Sequence, residues 1–196
     1  MKICEPMPIL NAKNFYLRSI RKSDYKDLFE YGSDIENTKF LSWGPLKSIS
    51  EAKWIVEKHF LARVQRGIPI GYAIVHKDND KMIGTIDFHT IDWNHSVGEI
   101  GYVLNKNYQG NGIMTEALQM MIKVGFDILN LNRIEIKHDI SNEASKRVIE
   151  KCDFRFEGVL RKRHFNKKTE RYVDVVIYSI LRKEYKRGEL KWQLQK

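Results

Sequence analysis

Three things are scarce in this chain. It has no apolar run long enough to cross a bilayer. It has only two cysteines in 196 residues, Cys4 and Cys152, too few for a disulfide framework. Both are expected to be free thiols in a reducing cytoplasm, and no Cys/His spacing matches a zinc site, so no metal is expected. The third shortage is acid: 25 Asp+Glu face 34 Lys+Arg, a formal net charge of +9. A basic surface raises the arrival rate of anionic partners, small or macromolecular. The start, Met1-Lys2-Ile3-Cys4-Glu5-Pro6, lacks the apolar core of a signal peptide. No linker, repeat or low-complexity stretch interrupts a chain that is 42% hydrophobic and 30% charged, so one packed domain over 1–196 is expected, with its core at about 12–185.

What is present centres on Gly101-Tyr102-Val103-Leu104-Asn105-Lys106-Asn107-Tyr108-Gln109-Gly110-Asn111-Gly112-Ile113-Met114-Thr115-Glu116-Ala117. It reads as an apolar strand, a polar turn with two glycines, and the start of an amphipathic helix. Amides at such a start have no intrahelical acceptor, and the helix dipole adds positive charge there. Glycines let a ligand approach the backbone, so the turn suits a phosphate. A Walker loop would need Gly-Lys-Ser/Thr after the last glycine, where Ile113-Met114 stand. A dinucleotide fingerprint would need a third glycine. The spacing Gln109-x-x-Gly112-x-Met114 resembles instead the coenzyme A pyrophosphate loop of the GNAT acetyltransferases, Gln/Arg-x-x-Gly-x-Gly/Ala. The closer likeness is to their RimJ/RimL-like branch, the ribosomal-protein N-terminal acetyltransferases. Met114 departs from the pattern at a position that mainly offers its amide.

The rest of the chain supplies an order of elements. A strand is predicted within 14–20, then a helix capped by Ser23-Asp24 with Tyr25, Leu28, Phe29 and Gly32 on one side. Ser48 to Glu51 is a capping box opening a longer helix, with Ala52, Ile55, Val56, Phe60 and Val64 inward, ending near Arg66-Gly67. Three strands follow, 70–75, 82–90 and 97–104, joined too tightly for crossovers and therefore antiparallel. A helix is predicted over 113–129. A strand over 133–140, with Ile134, Ile136 and Ile140 on one face, should lie parallel to 97–104 through a right-handed crossover. A helix over 142–152 and a hairpin, 154–165 and 172–181, turning at Asn166-Lys167-Lys168, complete it. The tail from Lys183 is charged. The order β-α-α-β-β-β-α-β-α-β-β is similar to the GNAT fold over nearly the whole chain. The resemblance implies an α+β fold with a seven-stranded, mostly antiparallel sheet splayed at its centre and about four helices.

It also implies roles. The amides of Gly110, Asn111, Gly112, Ile113 and Met114 would hold the pyrophosphate of acetyl-CoA, flanked by Gln109, while Val103 and Leu104 offer backbone to its pantetheine arm. The segment Ser141-Asn142-Glu143-Ala144-Ser145 through Glu150-Lys151-Cys152-Asp153-Phe154 is similar to the family's Asn-x-x-Ser…Glu-Lys-x-Gly-Phe. Asn142 is thereby a pantetheine ligand, or a plain helix cap. Ser145 is a proton donor to the departing thiolate, or a hydroxyl bonded to the preceding turn. Asp153, in place of Gly, should end the helix left-handed. Glu99, the one charge in an apolar strand, is the candidate base, with Asp87 and His89 as contenders. A strand amide near Val103 would stabilise the oxyanion.

The implied activity is transfer of acetyl from acetyl-CoA to a primary amine, by direct attack and without a covalent enzyme intermediate. The acceptor expected from the branch is a protein N-terminus of the ribosomal-protein type. A small amine (aminoglycoside, polyamine or amino-acid derivative) is the enzymatic alternative, and a basic RNA-binding module without activity is the other. Phe40, Trp43, Trp54, Tyr72 and Trp93 could line an acceptor cleft. Arg161, Lys162, Arg163, His164, Lys167, Lys168 and Arg171 crowd one hairpin, which could dock RNA or a ribosome or simply be solvated. The protein is expected to be cytoplasmic, away from membranes, and a monomer or homodimer.

Overall fold

The structure, a computed structural model, describes residues 7–166 and 169–185. Cys4, Lys167, Lys168 and the charged tail beyond Tyr185 lie outside the described residues. The elements are β1 (Leu10–Asn11), β2 (Phe15–Ser19), α1 (Tyr25–Gly32), α2 (Ile35–Thr38), α3 (Ile49–Trp54), β3 (Tyr72–His76), β4 (Met82–Asp92), β5 (Val97–Leu104), α4 (Ile113–Lys123), β6 (Arg133–Asp139), α5 (Glu143–Glu150), β7 (Arg155–Asn166) and β8 (Arg171–Leu181). They form one sheet in the order β1-β2-β3-β4-β5-β6-β8-β7. It has eight strands rather than seven, because two residues before β2 add an edge at Leu10↔Leu17. Every pairing is antiparallel except β5 with β6.

The β5–β6 pairing is short. It runs from Val97↔Arg133 to Ile100↔Ile136 and stops, although β5 continues to Leu104 and β6 to Asp139. The sheet is therefore split along one side of its centre, where two strand edges lose their shared ladder.

Strand alternation divides the core between two faces. On one, Ile86, Phe88, Ile100, Ile134, Ile136 and Ile180 pack with Ala117, Leu118, Met121 and Ile149 of α4 and α5. On the other, Ala73, Val75, Met82 and Val103 pack with Leu28, Tyr31, Ala52, Val56 and Phe60 from α1 and the α3 segment. Each fully buried Val, Leu, Ile, Phe or Met among them contributes about 1.5–3 kcal/mol. The second cluster covers the β2–β4 side and reaches β5 only at Val103, and the rest of that face from β5 to β8 carries Glu99, Glu135, Lys137 and Ser179.

Local chemistry explains most boundaries. Ser48 Oγ accepts from Glu51 N–H (3.3 Å), while the Glu51 carboxylate reaches back to Lys47 N–H (2.7 Å), one residue beyond the expected box. After α3 the chain widens into a π turn (55–60) and then tightens into 3-10 turns (61–66), closing at left-handed Gly67. Two inward residues differ from expectation there and on β6. Arg63, three residues after Phe60, is buried (1% exposed) and Val64 faces out. Ile140 lies past the end of β6 and is exposed, and His138 occupies the buried position in its phase. Asp153 has φ +60°, the left-handed ending expected after α5.

Candidate active site

The turn after β5 is built from backbone. Gly112 is the residue before α4, with φ +76°, and Gly110 has φ +83°. A Cβ at either would meet nothing within 4 Å, so the space above both is open. The amides from Gly110 to Met114 have no acceptor among the described residues; the first bond into the helix is Glu116 N–H to Gly112 O (3.0 Å). Ile113 and Met114 send their side chains into the core, so the methionine that departs from the motif leaves its amide outward. Gln109 is turned the other way, its Nε2 donating to Leu104 O (3.0 Å), which ties the turn to the end of β5. The turn fits a diphosphate: unpaired donors, a helix dipole and no side chain in the way.

Register decides which β5 groups face the split. Asn105 N–H donates to Ile83 O (2.8 Å) on β4. Bonding direction alternates along a strand, so Val103 also bonds toward β4, and Tyr102 and Leu104 direct their backbone groups at the gap. Of the strand groups near Val103, those of Tyr102 and Leu104 rather than Val103 itself therefore face the gap.

Two hydroxyls meet on the α5 side. Asn142 precedes α5 and its Oδ1 accepts from Ser145 N–H (3.1 Å). The cap uses only the oxygen, so Nδ2 remains available to a ligand carbonyl. Ser145 is buried, and its Oγ lies 2.7 Å from the Tyr102 hydroxyl, which is also 3.3 Å from Ser145 O. Burial raises the Tyr102 pKa, so this phenol keeps its proton. Cys152, behind them, is buried with its thiol pushed up to about 12 by desolvation, which keeps it un-ionised and a poor nucleophile.

The opposite face holds charge. A bulge at His89 lets the ring lie over Gly101, where a Cβ would come within 2.9 Å of it. His89 Nε2 is 3.5 Å from Glu99 Oε1, and Lys137 Nζ donates to Glu99 Oε2 (2.7 Å) and sits 3.6 Å from Glu135. Asp87 is engaged differently from expectation: its Oδ1 is 2.5 Å from Arg63 Nη1, an ion contact off the hydrogen-bond axis, with both side chains buried. Arg63 Nη2 donates to His59 Nε2 (2.7 Å). Desolvation, then the guanidinium, lower the His59 pKa, consistent with a neutral ring that accepts.

One cleft of about 580 Å³ joins both faces through the split, lined by Tyr102, Asn142 and Ser145 on one side and Asp87, His89, Glu99 and Lys137 on the other. Of the five aromatics expected at an acceptor cleft, Phe40 and Trp43 line it. Tyr72 is core (1% exposed), Trp54 is on the surface (62%), and Trp93 bonds Gly67 O (2.9 Å) to fasten the end of the α3 segment. Arg163 and His164 of the basic hairpin also line the cleft. Arg63 and Tyr102 were missed in the sequence. Arg63 had a signal, a charge on an apolar helical stripe, of the same kind that singled out Glu99.

A single-sided split, an amide-lined turn at its mouth and a cleft through the sheet define an acyltransferase fold. Residues 14–155 match the family model described as Acetyltransferase (GNAT) domain, and the chain belongs to that family of N-acetyltransferases. It is 35% identical over 179 residues to the uncharacterized N-acetyltransferase p20 of Bacillus licheniformis, covering 91% of this chain and 99% of that one. It is 35% identical over 112 residues to the ribosomal-protein-serine acetyltransferase of Escherichia coli, covering 56% and 61%. Among solved structures, RimL, the ribosomal L7/L12 alpha-N-protein acetyltransferase in complex with coenzyme A, superposes with a TM-score of 0.79 at 25% identity, covering 90% of this chain and 99% of that one.

Proposed function

We propose that the protein transfers acetyl from acetyl-CoA to the α-amine of a protein N-terminus, of the kind ribosomal-protein acetyltransferases use. The observation that carries the cofactor half is the row of unpaired amides from Gly110 to Met114, opening directly onto the unpaired edge of β5. On this reading those amides bind the pyrophosphate, Leu104 backbone and Asn142 Nδ2 hold the pantetheine, and Gln109 steadies the turn through Leu104 O.

The chemistry needs a base and an acid on opposite sides of the reacting carbonyl. An α-amine is largely protonated at neutral pH, with a pKa of about 8, so it must lose a proton before it attacks. Glu99 takes that proton, held in place by Lys137 with His89 beside it. Tyr102 N–H receives the developing oxyanion. As the carbon–sulfur bond breaks, Ser145 Oγ–H hydrogen-bonds the departing thiolate, which takes its proton through this hydroxyl as solvent returns one to Oγ, and Glu99 releases to solvent the proton it took from the amine. Tyr102 Oη–H can then donate to Ser145 Oγ, which frees the serine proton to point at sulfur. Glu99 and Ser145 come from opposite faces of one sheet, the arrangement that direct transfer requires. The reaction would run in the cytoplasm.

Two measurements test this. Calorimetry should detect acetyl-CoA binding in the unmodified protein. Glu99→Gln should lower kcat by about 100-fold with acetyl-CoA affinity unchanged, as loss of a general base does. Unchanged turnover across pH in that variant would remove Glu99 from the role.

A further inference from the structure

The acceptor half of the cleft has a charge pattern that transfer by itself does not use. Four basic side chains line it, Arg63, Arg66, Lys137 and Arg163, against three acids, Asp87, Glu99 and Asp139. Every acid is engaged. Asp87 faces Arg63 at 2.5 Å and Glu99 accepts from Lys137 at 2.7 Å. Asp139 Oδ1 accepts from both the amide (2.9 Å) and the hydroxyl (2.6 Å) of Ser141. Two of the cations are open. Arg66 and Arg163 are exposed and have no ion-pair partner among the described residues. They come from different ends of the molecule: Arg66 closes the 3-10 segment after α3, and Arg163 stands on β7 at the edge of the sheet. An amine bound for the split shares its cleft with two open guanidinium groups, and of the three carboxylates Asp87 and Glu99 are already ion-paired while Asp139 is held by neutral donors.

The geometry points to an acceptor that carries an anion, carboxylate or phosphate, on the same molecule as its amine, and to discrimination against polycations. This rests on the acetyl-transfer reading. A guanidinium offers paired donors that match either anion. A polyamine would bring positive charges beside two arginines that lack an ion-pair partner among the described residues, with two of the three local carboxylates already ion-paired, and like charges brought together weaken binding strongly. Glu99 remains to receive one ammonium, the one that reacts.

The test uses two arms. One holds peptides identical except for Asp, Ala or Lys at the second position; the other holds glutamate, glutamine and spermidine. Binding to the CoA-loaded protein is measured by calorimetry, and acetylation as kcat/KM. The anionic member should exceed the cationic one by about tenfold or more in at least one arm, and which arm responds tells a peptide source from a small-molecule one. The preference should shrink at high salt. Arg66→Gln with Arg163→Gln should flatten it, and Arg66→Glu with Arg163→Glu should invert it. Equal or tighter binding of the lysine peptide and spermidine, or a preference indifferent to these substitutions, overturns the inference. Charge-selective binding without acetylation of any acceptor sinks the transfer reading and leaves only the anion preference of the cleft standing.

Discussion

The two sides of the split are made of different materials. The turn after β5 is a backbone site: two glycines at positive φ, open space above them, and amides with no partner among the described residues. The face beyond β5 is a side-chain site, an ionic row from His59 and Arg63 through Asp87, and from His89 through Glu99, Lys137 and Glu135 to Arg133 and Glu157. A backbone site suits a group that does not vary between substrates, which on the proposed reading is a diphosphate. A side-chain site can be retuned residue by residue, which suits the half of a family's chemistry that differs between members.

That contrast can be broken most forcefully at Arg63. Arg63→Met should cost about 3–5 kcal/mol, because it strands the buried Asp87 carboxylate. Adding Asp87→Leu should recover most of the loss, and urea denaturation reads both. If the single variant is as stable as the parent, the ionic row is ornament rather than structure. At the turn, Gly112→Glu should lower acetyl-CoA affinity by about 100-fold or more, since a carboxylate would face the diphosphate. The backbone strain at φ +76° adds about 1–2 kcal/mol to the folding cost of any side chain there, so Gly112→Ala is the control for stability. Undiminished binding in the glutamate variant would mean the anion lies elsewhere.

Smaller effects sharpen the comparison. Tyr102→Phe should reduce kcat about tenfold and leave acetyl-CoA affinity alone, and combined with Ser145→Ala the losses should not add, because the two hydroxyls act as one unit. Additive losses would separate them. The smallest effect is at the far end of the ionic row. Arg133, then Ser179, hold the Glu157 pKa down to about 2. A lowered carboxylate pKa contributes stability that is fully present above the unfolded value, near 4.5, and is lost as pH falls toward 2. The side chain is 37% exposed, so screening reduces this to about 1 kcal/mol or less. Glu157→Gln should therefore lower stability at neutral pH and match the parent near pH 2, read by denaturation at both.

The legibility of the two sides differed for the same reason. Gly110, Gly112, Asn142 and Ser145 sit in short windows where residue spacing fixes local geometry, and the structure has the turn, the cap and the left-handed Asp153 where those windows put them. Loop lengths made β3, β4 and β5 antiparallel neighbours, whereas the β1 edge and the seating of β8 between β6 and β7 depend on long-range pairing. Tyr72 and Trp54 could not be sorted from Phe40 and Trp43, because an aromatic ring is equally at home in core, surface or cleft. Asp87 and Arg63 are 24 positions apart in sequence numbering and meet only after the helical segment packs on β4.

The sequence by itself determined the elements, their order and the anion-ready turn, because these depend on contacts within a few residues. Tertiary structure decided that β5 and β6 part after Ile100 and Ile136, that Tyr102 reaches Ser145, and that, among the described residues, each acid lining the cleft has a bonding partner while Arg66 and Arg163 have no ion-pair partner. Those outcomes depend on strand register and on side chains brought together from distant parts of the chain, and no local pattern encodes the distances between them.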